Sequence, residues 1–423
     1  MREMKDSGVE WIGQIPKDWE KTKIKTVCSF VGSGTTPASN RIEYYDNGTI
    51  DWIQSGDIYG KNNIDEVKTK ITTLALNSNT SLRIYKAPFI VMAMYGGSVG
   101  NTAISHIDAC TNQACCCIKT NENANLSYMY YWLLLCKEDF LIRAEGGGQP
   151  NISQDKIKNQ YFLVSNYAEQ KKIADCLDEK CSEIDTLTSD IQKQIDTLEQ
   201  YKKAVITETV TKGLNPDVEM KDSGVEWVGK IPNHWSIEKG KYILKYMQKP
   251  VKETDEIITC FRDGEVTLRS NRREDGFTIS DKEIGYQGID IGDLVVHGMD
   301  GFAGAIGVSD SRGKASPVLN VLDTENNKKY IMYYLRSMAY SNVFLAIATG
   351  IRVRSCDLRW NKLAELLYPV PPISEQNKIV EYIDNILQKA DEIIADKKKQ
   401  LEVITEYKRS LIYEYVTGKK EVM

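Results

Sequence analysis

One phrase of thirteen residues occurs twice in the chain: Met4 to Pro16 reads MKDSGVEWIGQIP and Met220 to Pro232 reads MKDSGVEWVGKIP, each followed three residues later by a tryptophan, Trp19 and Trp235. A second repeat lies at another offset. Ala168 to Lys212 aligns without a gap on Ser374 to Gly418 with about 15 identities, among them Glu169/Glu375, Gln170/Gln376, Asp185/Asp391, Tyr201/Tyr407 and the Val-Thr pairs at Val210 and Val416. The chain is therefore duplicated in the order A-B-A-B. The offsets of 216 and 206 make the globular stretch of the second copy about ten residues shorter, so the segments between the anchors have diverged.

The long repeated segments have a helical period. Leu177, Ile184, Ile191, Leu198 and Val205 step by seven, with Ile173, Leu187 and Tyr201 interleaved; the second copy repeats this with Ile383, Ala390, Lys397, Ile404 and Leu411 beside Ile379, Ile386, Ile393 and Tyr407. Gln194, Gln400 and Lys397 are read as polar seam positions, which fix register at a cost in stability. So narrow a stripe does not build a core by itself. Each helix either lies on its own domain or pairs with the other as an intramolecular antiparallel coiled coil. The paired reading predicts a rod of about 65 Å from roughly 45 residues, with two domains related by a pseudo-twofold axis. The end of the sequence, Tyr415 to Met423, stops where the first copy enters its next Met-Lys-Asp-Ser-Gly-Val-Glu-Trp unit, so the chain reads as a cut circle.

With 423 residues, 42% of them apolar, and a net charge of −5, the chain is long enough for more than one core. Its longest apolar runs, Tyr128 to Cys136 and Ala87 to Tyr95, are too short to span a bilayer, and the start MREMKD is no signal peptide, so no membrane and a cytoplasmic location are expected. Cys115, Cys116 and Cys117 are adjacent and lack the spacing of a zinc or disulfide framework. His106, Cys110 and Cys115 could ligate a metal, but reduced cysteines buried in a strand account for them better.

Each globular unit reads as mixed α/β (α+β) with many short strands. Gly34 to Pro37 (GTTP), Tyr44-Tyr45 and Ile50 to Ile58 alternate turn formers with β-prone residues. Ala87 to Ile104 predicts a strand, a glycine turn and a strand, and Ile291 to Val308 its counterpart. Tyr128 to Arg143 and Lys329 to Ile347 predict helices. A glycine turn, Gly146-Gly147-Gly148 or Gly350, then leads through a strand into each long helix.

Catalytic motifs are missing. No GxxxxGK[ST] loop cradles a phosphate, no NPPY or DPPY loop serves base methylation, and Gly96 to Gly100 opens no helix as a dinucleotide loop would. Pro216 to Lys221 evokes a PD…ExK nuclease, but that metal site needs its acids on well-separated strands, and a linker is the better reading. Three histidines, His106, His234 and His297, provision general-base chemistry poorly. The chain is expected to be noncatalytic and to bind.

The twin entries GVEWIGQIP and GVEWVGKIP, the elements WIQSGDI and GTTP, the exit PVPPISEQ at Pro369 to Gln376 and the two matching helices together resemble the specificity subunit of Type I restriction-modification systems, over essentially the whole chain. The first exit, Tyr161 to Gln170, reads YFLVSNYAEQ and lacks the prolines, which questions its rigidity. The resemblance implies target recognition domains at 1–167 and 214–372, each reading one half of a split DNA sequence. It also implies spacer helices at 168–213 and 373–423 that set the gap and dock two methyltransferase (modification) subunits, with restriction/translocase subunits as further partners. S-adenosylmethionine, ATP and Mg are then expected on those partners and no cofactor on this chain.

An inverted pair of unequal readers suits an asymmetric bipartite site on duplex DNA. Net acidity does not oppose this, since Arg262, Arg269, Arg272, Arg273, Arg312, Lys314, Arg352 and Arg354 concentrate in expected loops of the second unit, where arginine forks suit phosphate and guanine alike. Solvated loop arginines are the plain alternative for about half of them. The first unit offers Thr35, Arg41, Tyr44, Tyr45, Ser55, Arg83, Ser98, Asn101 and Gln113, of which the tyrosines can equally be core. Two rivals stay open: a duplicated scaffold protein without DNA specificity, which lacks salt-dependent affinity for duplex, and a self-sufficient nuclease or methylase, which the missing motifs disfavour.

Overall fold

The computed structural model describes residues 2–146, 148–272, 284–346 and 358–422. The chain forms two compact units, Met1–Asp190 with Lys399–Met423, and Ile191–Lys398. Each unit holds one copy of the entry phrase, one set of sheets, and one half of each long helix.

In the first unit the entry phrase is a hairpin of Met4–Asp6 on Gln14–Pro16. Asp6 Oδ1 accepts from the Gly8 amide at 2.9 Å, and Ile12, Ile15 and Trp19 point into the core with at most 1% of their surface exposed. The main sheet runs in the order Cys28–Ser33, Cys115–Thr120, Phe89–Ala93, Thr102–Ser105, Asn63–Ile64. Because strand side chains alternate, Cys116 enters the cluster that holds Trp19 and Trp132, whereas Cys115 and Cys117 enter the one around Phe89 on the opposite face. Burial pushes all three thiols well up, which keeps them as inert packing groups. A smaller sheet sets Ala109–Thr111 parallel to Ile50–Ile53, with Lys70–Ile71 on its other side.

The second unit repeats the entry hairpin, Met220–Asp222 on Lys230–Pro232, with Ile231 and Trp235 buried. Its main sheet is wholly antiparallel in the order Lys245–Met247, Leu319–Asp323, Leu294–His297, Ile306–Val308. Two two-stranded ribbons, Ile258–Cys260 on Val266–Leu268 and Gln287–Ile289 on Gly313–Ala315, replace the first unit's parallel pairing. The predicted strand, turn and strand is present in both units, as Phe89–Ala93 and Thr102–Ser105 and as Leu294–His297 and Ile306–Val308.

The duplicated sequence makes duplicated bonds. Helices Leu126–Leu135 and Lys328–Tyr340 are capped by Asn125 and Asn327. Tyr128 donates to the carbonyl of Val416 at 2.9 Å, and Tyr330 to that of Val210 at 3.1 Å. Tyr131 donates to Asp178 at 2.7 Å and Tyr333 likewise to Asp384. The buried amides of Gln170 and Gln376 donate to the carbonyls of Ser165 and Pro371, each at 2.9 Å. The proline-poor first exit is thus tied by the same bond as the second, and Asn166 caps its helix by accepting from the Glu169 amide at 2.9 Å.

The long helices are Tyr167–Lys212, of 46 residues, and Ile373–Val416, of 44. They pair antiparallel within each unit. In the first, Ile173, Leu177 and Cys181 share a core with Leu411, Ile412 and Tyr415; in the second, Ile206 and Val210 share one with Ile379 and Ile383. Along the sevenfold positions Leu177, Ile191, Ile383, Ala390 and Leu411 are buried, and Ile184, Leu198, Val205, Lys397 and Ile404 half-buried.

Of the interleaved positions Ile173 and Ile379 are buried and Ile386 half-buried, and the rest differ from the expectation. Leu187, Tyr201, Ile393 and Tyr407 are 45–56% exposed and Gln400 is exposed as well, while Gln194, though exposed, accepts a bond from Lys397 across the pair as a polar seam position should. Their places in the stripe go to Thr188, Ile195, Lys202, Ile394, Leu401 and Lys408, each one residue further on. For the two lysines the reason is electrostatic: Lys202 reaches Asp391 at 2.5 Å and Lys408 reaches Asp185 at 2.6 Å across the pair. Hydropathy alone does not rank lysine above tyrosine for a seam.

Both helices end on glycines at positive φ. Gly418, at φ +70°, lies where a Cβ would come within 2.4 Å of Pro16 and 3.1 Å of Trp19; Gly213, at φ +76°, lies 3.2 Å from Trp235 by the same measure. Each helix terminus therefore packs on an entry tryptophan of its own unit. Among the described residues no helix is long and apolar enough to cross a membrane.

Candidate nucleic-acid interface

In the first unit the GTTP stretch leaves the sheet after Ser33 and crosses the end of Ala109–Thr111. The Gly34 amide donates to Thr111 Oγ1 at 3.1 Å, and a Cβ on Gly34 would fall 1.8 Å from the Thr111 carbonyl oxygen, so only glycine fits. Beyond it Thr36 Oγ1 donates to Gln113 Oε1 at 2.5 Å, and Tyr45 donates to the Pro37 carbonyl at 2.7 Å. Exposed Arg41 donates to the Tyr44 hydroxyl at 2.9 Å, with its guanidinium over that ring. Five expected residues, Thr35, Arg41, Tyr44, Tyr45 and Gln113, are thus gathered around one loop. Tyr44 itself is only 7% exposed and packs with Trp52, which gives its ring a core role and leaves its hydroxyl to position Arg41.

The other candidates of this unit lie apart. Ser55 begins the short helix Ser55–Ile58 that follows Ile50–Ile53. Arg83 stacks over Phe30 with its Cζ 5.2 Å from the ring centroid. Ser98 donates to the Tyr95 carbonyl at 2.8 Å in the turn between two strands, and Asn101 accepts from Lys137 at 2.7 Å. Thr36 and Lys137 were not singled out by sequence. Thr36 stands within the quoted GTTP stretch, yet only the strand pairing reveals which threonine meets Gln113.

In the second unit Arg262, Arg269 and Arg272 all belong to the ribbon Ile258–Cys260/Val266–Leu268 and the turn after it. Arg262 pairs with Asp300 at 2.9 Å, Arg269 donates to Thr259 at 3.4 Å, and Arg272 pairs with Asp263 at 2.7 Å while covering the Phe261 ring at 4.2 Å. Arg312 is different. It grips Asp255 with two bonds of 2.7 and 3.0 Å, Asp290 at 2.5 Å and the Pro250 carbonyl at 3.0 Å, beside Lys249, which holds Asp290 and Asp293. With Asp255 2% and Asp293 5% exposed, this network supports the base of the ribbon. Lys249 and Arg312 hold the Asp290 carboxyl down at about 2. Lys314 lies on the neighbouring strand Gly313–Ala315. Arg273, Arg352 and Arg354 lie outside the described residues.

His297 shapes the same face. Its Nδ1 accepts from the amides of Met299 at 3.2 Å and Asp300 at 2.9 Å, and burial lowers its pKa, favouring the neutral ring. In the first unit His106 Nε2 lies 3.0 Å from Asn63 Oδ1. Chemically both units offer fixed arginine, amide and hydroxyl groups on loops.

Residues 16–197 match the family model described as "Type I restriction modification DNA specificity domain". The chain is 23% identical to the Type I restriction enzyme MjaVIII specificity subunit of Methanocaldococcus jannaschii, over 97% of this chain and 94% of that protein. It is 30% identical to the Type I restriction enzyme EcoR124I/EcoR124II specificity subunit of Escherichia coli, over 44% of this chain and 43% of that one. Among solved structures, one from work on the "complex assembly" and "conformational transition of the type I R-M system" shares the fold with a TM-score of 0.67 at 11% identity, covering 95% of this chain and 98% of the other.

Proposed function

We infer that the chain, which belongs to the family of Type I restriction-modification specificity subunits, is the noncatalytic DNA-reading subunit of such a complex. Each globular unit reads one half of a bipartite duplex sequence, and the paired helices set the gap and receive the other subunits. One observation carries this. The entry hairpin, tyrosine bonds, glutamine ties and helix-end glycines occur twice, while the sheets and loops built on them differ. A shared frame holding two unlike loop sets is what two different half-sequences on two equivalent mounts require.

We assign recognition domains to 1–167 and 214–372 and spacer helices to 168–213 and 373–423. Two modification subunits would occupy the two equivalent mounts, restriction/translocase subunits would join them, and S-adenosylmethionine, ATP and Mg would belong to those partners in the cytoplasm. For DNA contact the loop around Thr35 and Gln113, with Arg41, and the ribbon of Arg262, Arg269 and Arg272, with Lys314, are favoured. Arg312 is reserved for the internal network, and Arg83, Ser55, Ser98 and Asn101, apart from the first loop, would add contacts of their own.

The test is an exchange of residues 217–372 for the equivalent unit of a relative, followed by sequencing of methylated sites in cells carrying the modification subunits. One half of the modified sequence should change and the other persist. Change in both halves would rule out independent readers.

A further inference from the structure

We propose that Gln113 is a base-reading side chain of the first unit, held in its reading orientation by Thr36, and that it engages hydrogen-bond acceptors on a base edge of duplex DNA. This rests on the DNA-reading function inferred above.

The backbone on either side of Gln113 is held in place. The residue sits at the tip of the turn between Ala109–Thr111 and Cys115–Thr120, where Asn112 Oδ1 accepts from the Ala114 amide at 3.0 Å and the Asn112 amide donates to Ile53 at 3.1 Å. Across from it, the GTTP loop is pinned by Gly34 to Thr111 and by Tyr45 to Pro37. Both loops are therefore held without the Thr36–Gln113 bond. Thr36 and Gln113 are themselves exposed, where water competes for both groups and one such bond adds little stability. Its effect is on orientation.

A glutamine amide has one acceptor end and one donor end. With the Oε1 end engaged by the Thr36 hydroxyl, the two Nε2 hydrogens are the donors left for DNA. Two donors select for acceptors. In the major groove guanine presents N7 and O6, adenine N7 and thymine O4, whereas cytosine presents only a donor. Guanine alone satisfies both hydrogens, so the position read by Gln113 should be a guanine. Free glutamine, with its carbonyl unengaged, would instead suit the N6/N7 edge of adenine.

The experiment uses the full chain assembled with its modification subunits, read by sequencing methylated sites and by competition among duplexes varied one base pair at a time. Gln113→Ala should make one position of one half-sequence degenerate, with about a tenfold loss of discrimination there, and leave the other half untouched. Gln113→Glu, which turns the donors into acceptors, should reject guanine at that position. Thr36→Val should blur the same position, and Thr36→Ser should restore it. Unaltered sequences in both Gln113 variants would overturn the proposal. So would a uniform loss of affinity with a shallower salt dependence, which marks a phosphate contact. If the unsubstituted complex shows no salt-dependent affinity for duplex, the function itself fails and this reading with it.

Discussion

Lys408 on the second long helix donates to Asp185 on the first at 2.6 Å, and the residues equivalent to them by duplication, Lys202 and Asp391, make the same bond at 2.5 Å. The ammonium side chains are 23% and 19% exposed, so each spends most of its length in the seam while its head meets the aspartate. For Lys202, burial is the largest single influence and works against the charge, but the bonds and charges of Asp391 and Glu199 together outweigh it, raising the pKa. Asp185→Asn or Asp391→Asn should each cost about 1 kcal/mol, and the reversed pair Asp391→Lys with Lys202→Asp should recover most of the loss. A double-mutant cycle on thermal unfolding checks this; zero coupling would mean that the apolar residues alone choose the seam.

Tyr128 and Tyr330 should matter equally. Each buried hydroxyl satisfies a carbonyl near a helix end, at Val416 and Val210, and that of Tyr330 is shared with the Pro369 carbonyl at 3.0 Å. Replacing either by phenylalanine leaves that carbonyl short of a partner and should cost about 1–2 kcal/mol. Chemical denaturation of the two variants should give similar losses, and a negligible loss in one alone would mean that the two frames are not energetically equivalent.

Joining Met423 to Met4 and reopening the chain between Lys212 and Glu219 should preserve folding and both half-sequences. The junction already exists in folded form, since Tyr413 donates to the Ile12 carbonyl at 3.0 Å, Lys419 donates to it at 2.8 Å, and Gly418 packs on Trp19. Permutants with several linker lengths, assayed by circular dichroism and methylated-site sequencing, check this. Insolubility at every length would contradict it.

Inserting four residues between Thr197 and Ala204 adds about 6 Å of helix and about 40° of rotation. If the helices set the gap, the preferred spacing should grow by about one or two base pairs, at about 3.4 Å each, with both half-sequences kept. Some stability should be lost, because the insertion moves Lys202 out of step with Asp391. Modified sites with an unchanged gap would remove the ruler from the mechanism.

Acid should weaken the second unit in two steps. Burial lowers the pKa of His297, so its neutral form is favoured on folding; its contribution is present above about 6.5 and fades as pH falls below that value. Asp290, held at about 2 by Lys249 and Arg312, contributes above the ordinary carboxylate value near 4 and loses that contribution as pH falls toward 2. In melting curves against pH, His297→Asn, which keeps an acceptor for the amides of Met299 and Asp300, should flatten the upper step only. Asp290→Asn should flatten the lower step only.

What the sequence disclosed and what it concealed divide along physical lines. The entry phrase and the helical period are local regularities, so duplication, element types and the sevenfold positions could be read directly. The phase of the other seam positions could not, because Lys202 and Lys408 enter the stripe through aspartates that lie 189 and 223 residues away along the chain. The same holds for the candidate contacts. Arg312 and Arg262 look alike in sequence, but only the fold spends the first on Asp255, Asp290 and Pro250. Nor does the sequence bring Thr36 to Gln113, since strand pairing does that.

The division of residues between the units bears on synthesis. The second unit, Ile191–Lys398, is continuous along the chain, whereas the first is completed only by Lys399–Met423, whose Leu411, Ile412, Tyr415 and Val416 stand in its core beside Trp19 and Tyr128. Because a chain emerges from the ribosome at about 5–20 residues per second, the unit that begins first must wait some tens of seconds for its final helix, exposing Leu177 and Ile173 meanwhile. The order of birth is thus the reverse of the order of completion. A chain released short of Leu411 would carry a finished second reader tethered to an unfinished first one.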